Sequence, residues 1–144
     1  MYGEAVVGVK LTMSGTRVLW VWDAGSSTWL RTQDGTPHRA NSGQQVAAAN
    51  VVVLATPYAM SAADAHSPEA QTVGTGVAWI FTAGRLVRGI WTRSLVDAPW
   101  TLTDSVGRPI LLTPGRTWLE LSRPNRAAVV AAGVDPATVA YPRK

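Results

Sequence analysis

Cysteine is absent from the 144 residues. That excludes disulfides, thiolate catalysis, Cys-ligated zinc and a lipid carried on a cysteine of this chain. Long hydrophobic runs are missing too. No apolar stretch approaches the roughly 20 residues of a membrane-spanning helix, and no basic segment followed by an apolar core of roughly 7–15 residues opens the chain. The chain as given is expected neither to export nor to insert itself, and any signal would lie upstream. Histidine is scarce, with only His38 and His66, which narrows metal and acid–base chemistry. Clustered positive charge is also lacking: the net charge is +4, yet no three basic residues are adjacent. Scattered arginines keep a domain soluble and argue against a nucleic-acid face, despite a pI near 10.1.

What is present is β-forming. Seven tryptophans stand against three tyrosines and one phenylalanine. In residues 72–93, Val77, Trp79 and Phe81 alternate with Ala78, Ile80 and Thr82, and 86–91 resumes the run after Ala83-Gly84. This predicts an antiparallel hairpin apolar on both faces, with glycine at a φ > 0 turn position. Such a hairpin needs cover on both sides. Further strands are expected at 4–13, 18–22, 29–31, 50–56, 100–103, 110–112 and 117–121, the last with Trp118 and Glu120 on one face. Residues 46–49 could form one helical turn, 36–45 and 61–69 read as polar surface segments, and Asp104 to Gly107 fits a type I turn. Short strands punctuated by Gly, Pro and Asp predict a mainly β fold, an antiparallel barrel- or sandwich-like sheet. Residues 126–132 are helix-compatible between an Asn125 N-cap and a Gly133 C-cap, so a short C-terminal helix packed on the sheet is expected, followed by a turn opened by Asp135-Pro136. The division is a β-rich unit at 1–121 and an extension at 122–144 belonging to the same domain.

Chemistry has few carriers here. His38 lies in a polar loop near Asp34, with Asp23 and Asn50 as possible neighbours, and a histidine oriented by a carboxylate is the usual general base. The plain structural reading has the His38 ring donating to a backbone carbonyl to pin the loop. Asp34, His38 and Asp64 or His66 lack the ligand spacing of a metal site, so no metal and no cofactor is expected. Gly74-x-Gly76 precedes a strand instead of a helix, which makes turns and close packing the reading of these glycines, not a phosphate loop. Trp20, Trp22, Trp79 and Trp118 sit in strand patterns and read as packing. Trp29, Trp91 and Trp100 sit nearer strand ends beside Arg31, Arg93 and Asp97, where an indole can stack on a sugar or a guanidinium.

Three pieces carry a family resemblance: Arg31-x-x-Asp34-Gly35-x-Pro37-His38; Asn50-Val51-Val52-Val53; and Gly84-x-x-x-x-Gly89-x-Trp91 with Gly115-x-Thr117-Trp118. In order and spacing, from about residue 20 to 121, the chain resembles the C-terminal domain of the YerB-like bacterial lipoproteins, a domain of unknown function. The resemblance implies an envelope protein held outside the cytoplasm by a lipidated N-terminus, with an N-terminal domain upstream. It carries over no catalytic residue. Where the family has an acidic residue two positions after the loop histidine, this sequence has Ala40, which argues against a His–carboxylate pair.

The expected function is therefore a non-catalytic interaction module of the cell envelope, showing loops 33–45 and 58–71 to an envelope protein or cell-wall glycan. Its candidate binding residues are Arg31, Asp34, His38, Asn50, Trp91, Arg93 and Trp100. The alternatives are a cell-wall hydrolase using His38 with Asp34 or with the missing domain, and a nucleic-acid-binding module.

Overall fold

β-branched and aromatic runs closed by Gly, Asp or Asn turn this chain into strand after strand. A computed structural model describes residues 2–64 and 66–143. In chain order the strands are β1 (Glu4–Met13), β2 (Thr16–Asp23), β3 (Thr28–Gln33), β4 (Thr36–Pro37), β5 (Ala47–Ala48), β6 (Asn50–Ala55), β7 (Tyr58–Met60), β8 (Pro68–Ala70), β9 (Gly74–Thr82), β10 (Arg85–Arg93), β11 (Thr101–Thr103), β12 (Thr117–Ser122) and β13 (Ala127–Ala131).

The main sheet runs β12-β6-β9-β10-β1-β2-β3-β4, with β11 on β10, β13 on β1 and β5 on β3; β7 and β8 form a separate two-stranded ribbon. Pairing is antiparallel except between β12 and β6, which run parallel. β1 makes the sheet curl. Its first residues, Glu4 and Ala5, pair with β10; from Val6 onward that edge passes to β13, while β2 holds the other. The strands thus wrap into a half-barrel, and its concave face buries Val9, Leu11, Val18, Trp20, Trp29, Val51, Phe81 and Leu86.

β9 and β10 form the expected two-faced hairpin. Phe81 and Leu86 face the concave core, while Ala78, Ile80, Val87 and Trp91 face outward beneath Trp100, Leu102 and Ile110. Ala83 (φ 50°) and Gly84 (φ 75°) are both left-handed, as a two-residue turn matched to strand twist requires. The side of Gly84 is closed by Trp22, whose Nε1 would lie 2.9 Å from a Cβ built there.

Three expectations are corrected. Residues 126–132 form no helix: they contain β13, paired with β1 from Val6↔Ala131 to Leu11↔Ala127. One or two helical turns are marginal alone, Val129 and Val130 are β-branched, and the vacant edge of β1 offers the segment a ladder in place of the unpaired ends that a short helix would have. The turn residues keep their place but change role, Asn125 (φ 63°) and Gly133 (φ 77°) bracketing a strand. Residues 46–49 contain β5 instead of a helical turn. Residues 110–112 are not a strand: Pro109 bridges Thr103 and Ile110 plugs the outer core. The segment 61–69 lies at the end of the β7–β8 ribbon, where Ala65 falls outside the described residues.

The tail after β13 has the expected turn, Asp135 capping the 3-10 helix Pro136–Thr138. It then crosses the outer side of β1, where Lys10 Nζ donates to Val139 O (2.7 Å) and lies 4.5 Å from the Tyr141 ring.

Candidate functional site

Trp29, Arg31 and Gln33 alternate along β3, so the strand turns all three toward the concave side. Arg31 is 6% exposed, and a guanidinium that far from water needs an anion. β12 supplies it. Its inward residues are Trp118, Glu120 and Ser122, and Glu120 Oε2 accepts from Arg31 Nε at 3.2 Å and from Trp20 Nε1 at 2.9 Å. The guanidinium carbon lies 5.0 Å from the Trp118 ring and 5.8 Å from that of Trp20, so the cation is stacked as well as paired.

The outward end of Arg31 holds the loop. Nη1 donates to Gln33 Oε1 (2.6 Å) and meets His38 Nδ1 at 2.7 Å. Arginine has only donors, so Nδ1 accepts and the ring proton sits on Nε2. The loop is pinned by the backbone of His38, whose N–H donates to Arg31 O (3.0 Å) and whose carbonyl accepts from Val46 N (2.7 Å). The expectation that the ring itself donates to a backbone carbonyl is thus replaced by a side-chain bond from Arg31. His38 is half-buried, edge-on to Trp118 at 6.2 Å. Among the described residues no carboxylate or amide hydrogen-bonds its ring. Ala40, at the position where an acid was expected, only closes the loop through its backbone with Gln44 O (2.8 Å).

The other candidates go elsewhere. Asp34 (φ 50°) is a turn residue of the β3–β4 hairpin, and its Oδ1 accepts from Arg17 N at 2.9 Å. Asp23 closes its own turn by accepting from Ser26. Asn50 is buried and clasps the chain before β12: its Nδ2 donates to Thr113 O (2.8 Å) and Thr117 Oγ1 (3.1 Å), and its Oδ1 accepts from Thr113 N (2.9 Å). Trp91, Arg93 and Trp100 gather on the convex side. Trp91 is buried with Nε1 donating to Ala55 O (2.9 Å), Trp100 meets it edge-on at 5.1 Å, and Arg93 lies 5.0 Å over Trp100 while donating to Ala98 O and Thr72 Oγ1. His66 belongs to an Asx turn through Asp64 Oδ1. Among the described residues no three His, Asp or Glu side chains gather as metal ligands.

The candidates that meet therefore fall in two groups, Trp91 with Arg93 and Trp100 on the convex side and Arg31 with His38 on the concave side, and Glu120, Gln33, Trp20 and Trp118 complete the second. The sequence did carry a signal for Glu120: an acid sharing the inward face with Trp118 has to find a buried cation. A second carboxylate, Asp104, is held far from this cluster. Its Oδ2 accepts from the Tyr2 hydroxyl (2.6 Å) and its Oδ1 from the Arg108 and Val106 amides. The Tyr2 bond foremost, then these amides, hold its pKa down to about 2, and the same bond pushes the Tyr2 phenol up.

Residues 9–119 match a family model described as the C-terminal domain of a protein of unknown function (DUF3048). No curated protein matches the sequence. Among solved structures, the crystal structure of YerB protein from Bacillus subtilis is similar, with a TM-score of 0.74 at 18% identity over 90% of this chain. At that identity the likeness is one of fold, and the chain spans 45% of the length of the YerB chain. The resemblance read from the three sequence pieces is borne out by both.

Proposed function

The chain belongs to the family of unknown function defined by this C-terminal domain, and from that premise we propose that it is a non-catalytic binding module whose ligand-facing surface is the His38–Trp118 shelf. One observation carries the reading: Arg31, locked to Glu120 beneath, fixes His38 through Nδ1 and leaves Nε2–H as an outward donor beside a half-buried indole. A half-buried indole with a fixed donor next to it suits a hydroxyl-rich ligand such as a cell-wall glycan, because ring and donor are already ordered and little entropy is lost on binding. A hydrolase is less well supported, since the general base it requires has a guanidinium where a carboxylate should orient it. A nucleic-acid module lacks a gathered basic stripe.

The proposal places the domain outside the cytoplasm, in an envelope lipoprotein joined through an upstream N-terminal region. Its support is the resemblance to the YerB-like lipoproteins and the 45% span of the YerB chain. Titration of the domain with soluble cell-wall glycan fragments, followed by tryptophan fluorescence, tests the ligand. Saturable binding lost in His38→Ala and retained in Trp100→Ala is the expected result, and glycan binding indifferent to His38 overturns it.

A further inference from the structure

At the Leu11 end of β1, where β13 begins at Ala127, a groove opens between the concave face of β6 and β9 and the turn that leads from β12 into β13. Val53 and Ala55 of β6 form its floor, Val77 and Trp79 of β9 one wall, and the turn from Ser122 to Ala127 the other. The cavity in it is about 170 Å³. That is below the roughly 300 Å³ at which pockets begin to hold whole drug-sized ligands, so it fits a single anchoring side chain. The apolar floor runs on into solvent: Val77 is 55% exposed, and Ile90, its cross-strand partner, 47%.

Two further features bear on what fills it. The first is the rim charge. Arg126 has only the carbonyl of Asn125 as a partner, at 3.4 Å, and Arg123 lies 4.4 Å over the Tyr58 ring; among the described residues neither pairs with an acid. The second is backbone. Among the described residues β13 forms a ladder with β1 alone; its other edge reaches the groove at Ala127 and is closed at the far end, where Ala131 O accepts from Val134 N (3.1 Å).

We propose that this groove is a docking site for an extended acidic peptide of a partner protein. The peptide adds as a strand to the free edge of β13, drops one aliphatic side chain into the cavity over Val53 and Ala55, and sets flanking carboxylates against Arg123 and Arg126. Strand addition supplies register and affinity through main-chain bonds, the cavity supplies an anchor, and the guanidiniums select charge. The site lies at the Ser122 end of β12, away from Trp118, and stands independently of the glycan reading.

The test uses a fluorescein-labelled peptide of about seven residues, one central Leu flanked by alternating Thr and Glu, a length natural to a single strand. Anisotropy should show saturable binding that weakens with salt and falls by about tenfold or more in Arg126→Glu, the size of effect expected when a rim attraction becomes a repulsion. Methylating alternate peptide nitrogens removes strand addition without touching the protein and should abolish binding, and replacing Glu by Lys should do the same. The proposal is overturned if the parent peptide fails to bind, if binding ignores Arg126→Glu or N-methylation, or if only anionic phosphatidylglycerol vesicles bind, which would make the groove a lipid-facing surface.

Discussion

Arg31 and Arg93 are two arginines laid over tryptophans, and they live by different rules. Arg31 stands on the concave side with its side chain 7% exposed, and it required a buried carboxylate, a glutamine and a histidine to be held there. Arg93, on the convex side, is half-buried and makes do with a carbonyl, a threonine hydroxyl and the Trp100 ring. Both stack on an indole about 5 Å away, so stacking does not separate them. Desolvation does: once water is gone, a cation without an anion is costly, whereas near the surface neutral partners suffice.

The sharpest way to break this contrast is to strand the buried cation. Glu120→Leu should cost about 3–5 kcal/mol, the usual penalty for orphaning one member of a buried pair, read as a lower urea midpoint with an unchanged slope. Replacing both members, as in Arg31→Met with Glu120→Leu, should recover most of that loss, because two well-packed apolar side chains leave no charge behind. A double variant as unstable as the single one would mean that the cluster is held by packing and not by charge.

On the convex side the comparable lever is steric. A Cβ at Gly76 would stand 2.5 Å from Trp91 Nε1 and 2.7 Å from Ala55 O, wedged into the bond that fixes Trp91. Gly76→Ala should therefore destabilise by about 1–3 kcal/mol through overpacking, measured by the same unfolding curves. Arg93→Ala should cost only about 0.5–1 kcal/mol, as a cation–π contact near the surface does. A loss equal to that of Glu120→Leu would erase the distinction drawn between the two faces.

The gentlest effect is with pH. Asp104 is depressed to about 2 in the fold, so its contribution is complete above the ordinary carboxylate value of 3.8 and is lost as pH falls through 2. The Tyr2 phenol is raised above 10.0, so its contribution holds below 10.0 and is lost as pH rises through the folded value. Tyr2→Phe should move the Asp104 titration, followed by NMR, back toward the ordinary range while leaving the His38 resonances in place.

Strands β1, β2, β3, β6, β9, β10, β11 and β12 could be read from alternation and turn residues. What misled was local ambiguity. RAAVVAA is compatible with either a helix or a strand, and only the vacant edge of β1 decides between them. The candidate site followed the same pattern. Arg31 in a short strand and His38 in the polar loop after it were visible as residue types, but Glu120, the partner of Arg31, lies 89 positions away, and the turn geometry that removes Asp34 from the histidine cannot be read from spacing.

Alternation of side chains along a strand is a property of the backbone, so the sequence alone determined that this chain is a set of short strands around a two-faced tryptophan hairpin. Which strand lies beside which is a matter of unpaired edges and desolvated charges meeting across the whole chain. That is why the tertiary structure alone decided that β12 runs parallel to β6, that the last apolar segment is a strand, and that a buried arginine holds the histidine whose ring was expected to reach a backbone carbonyl.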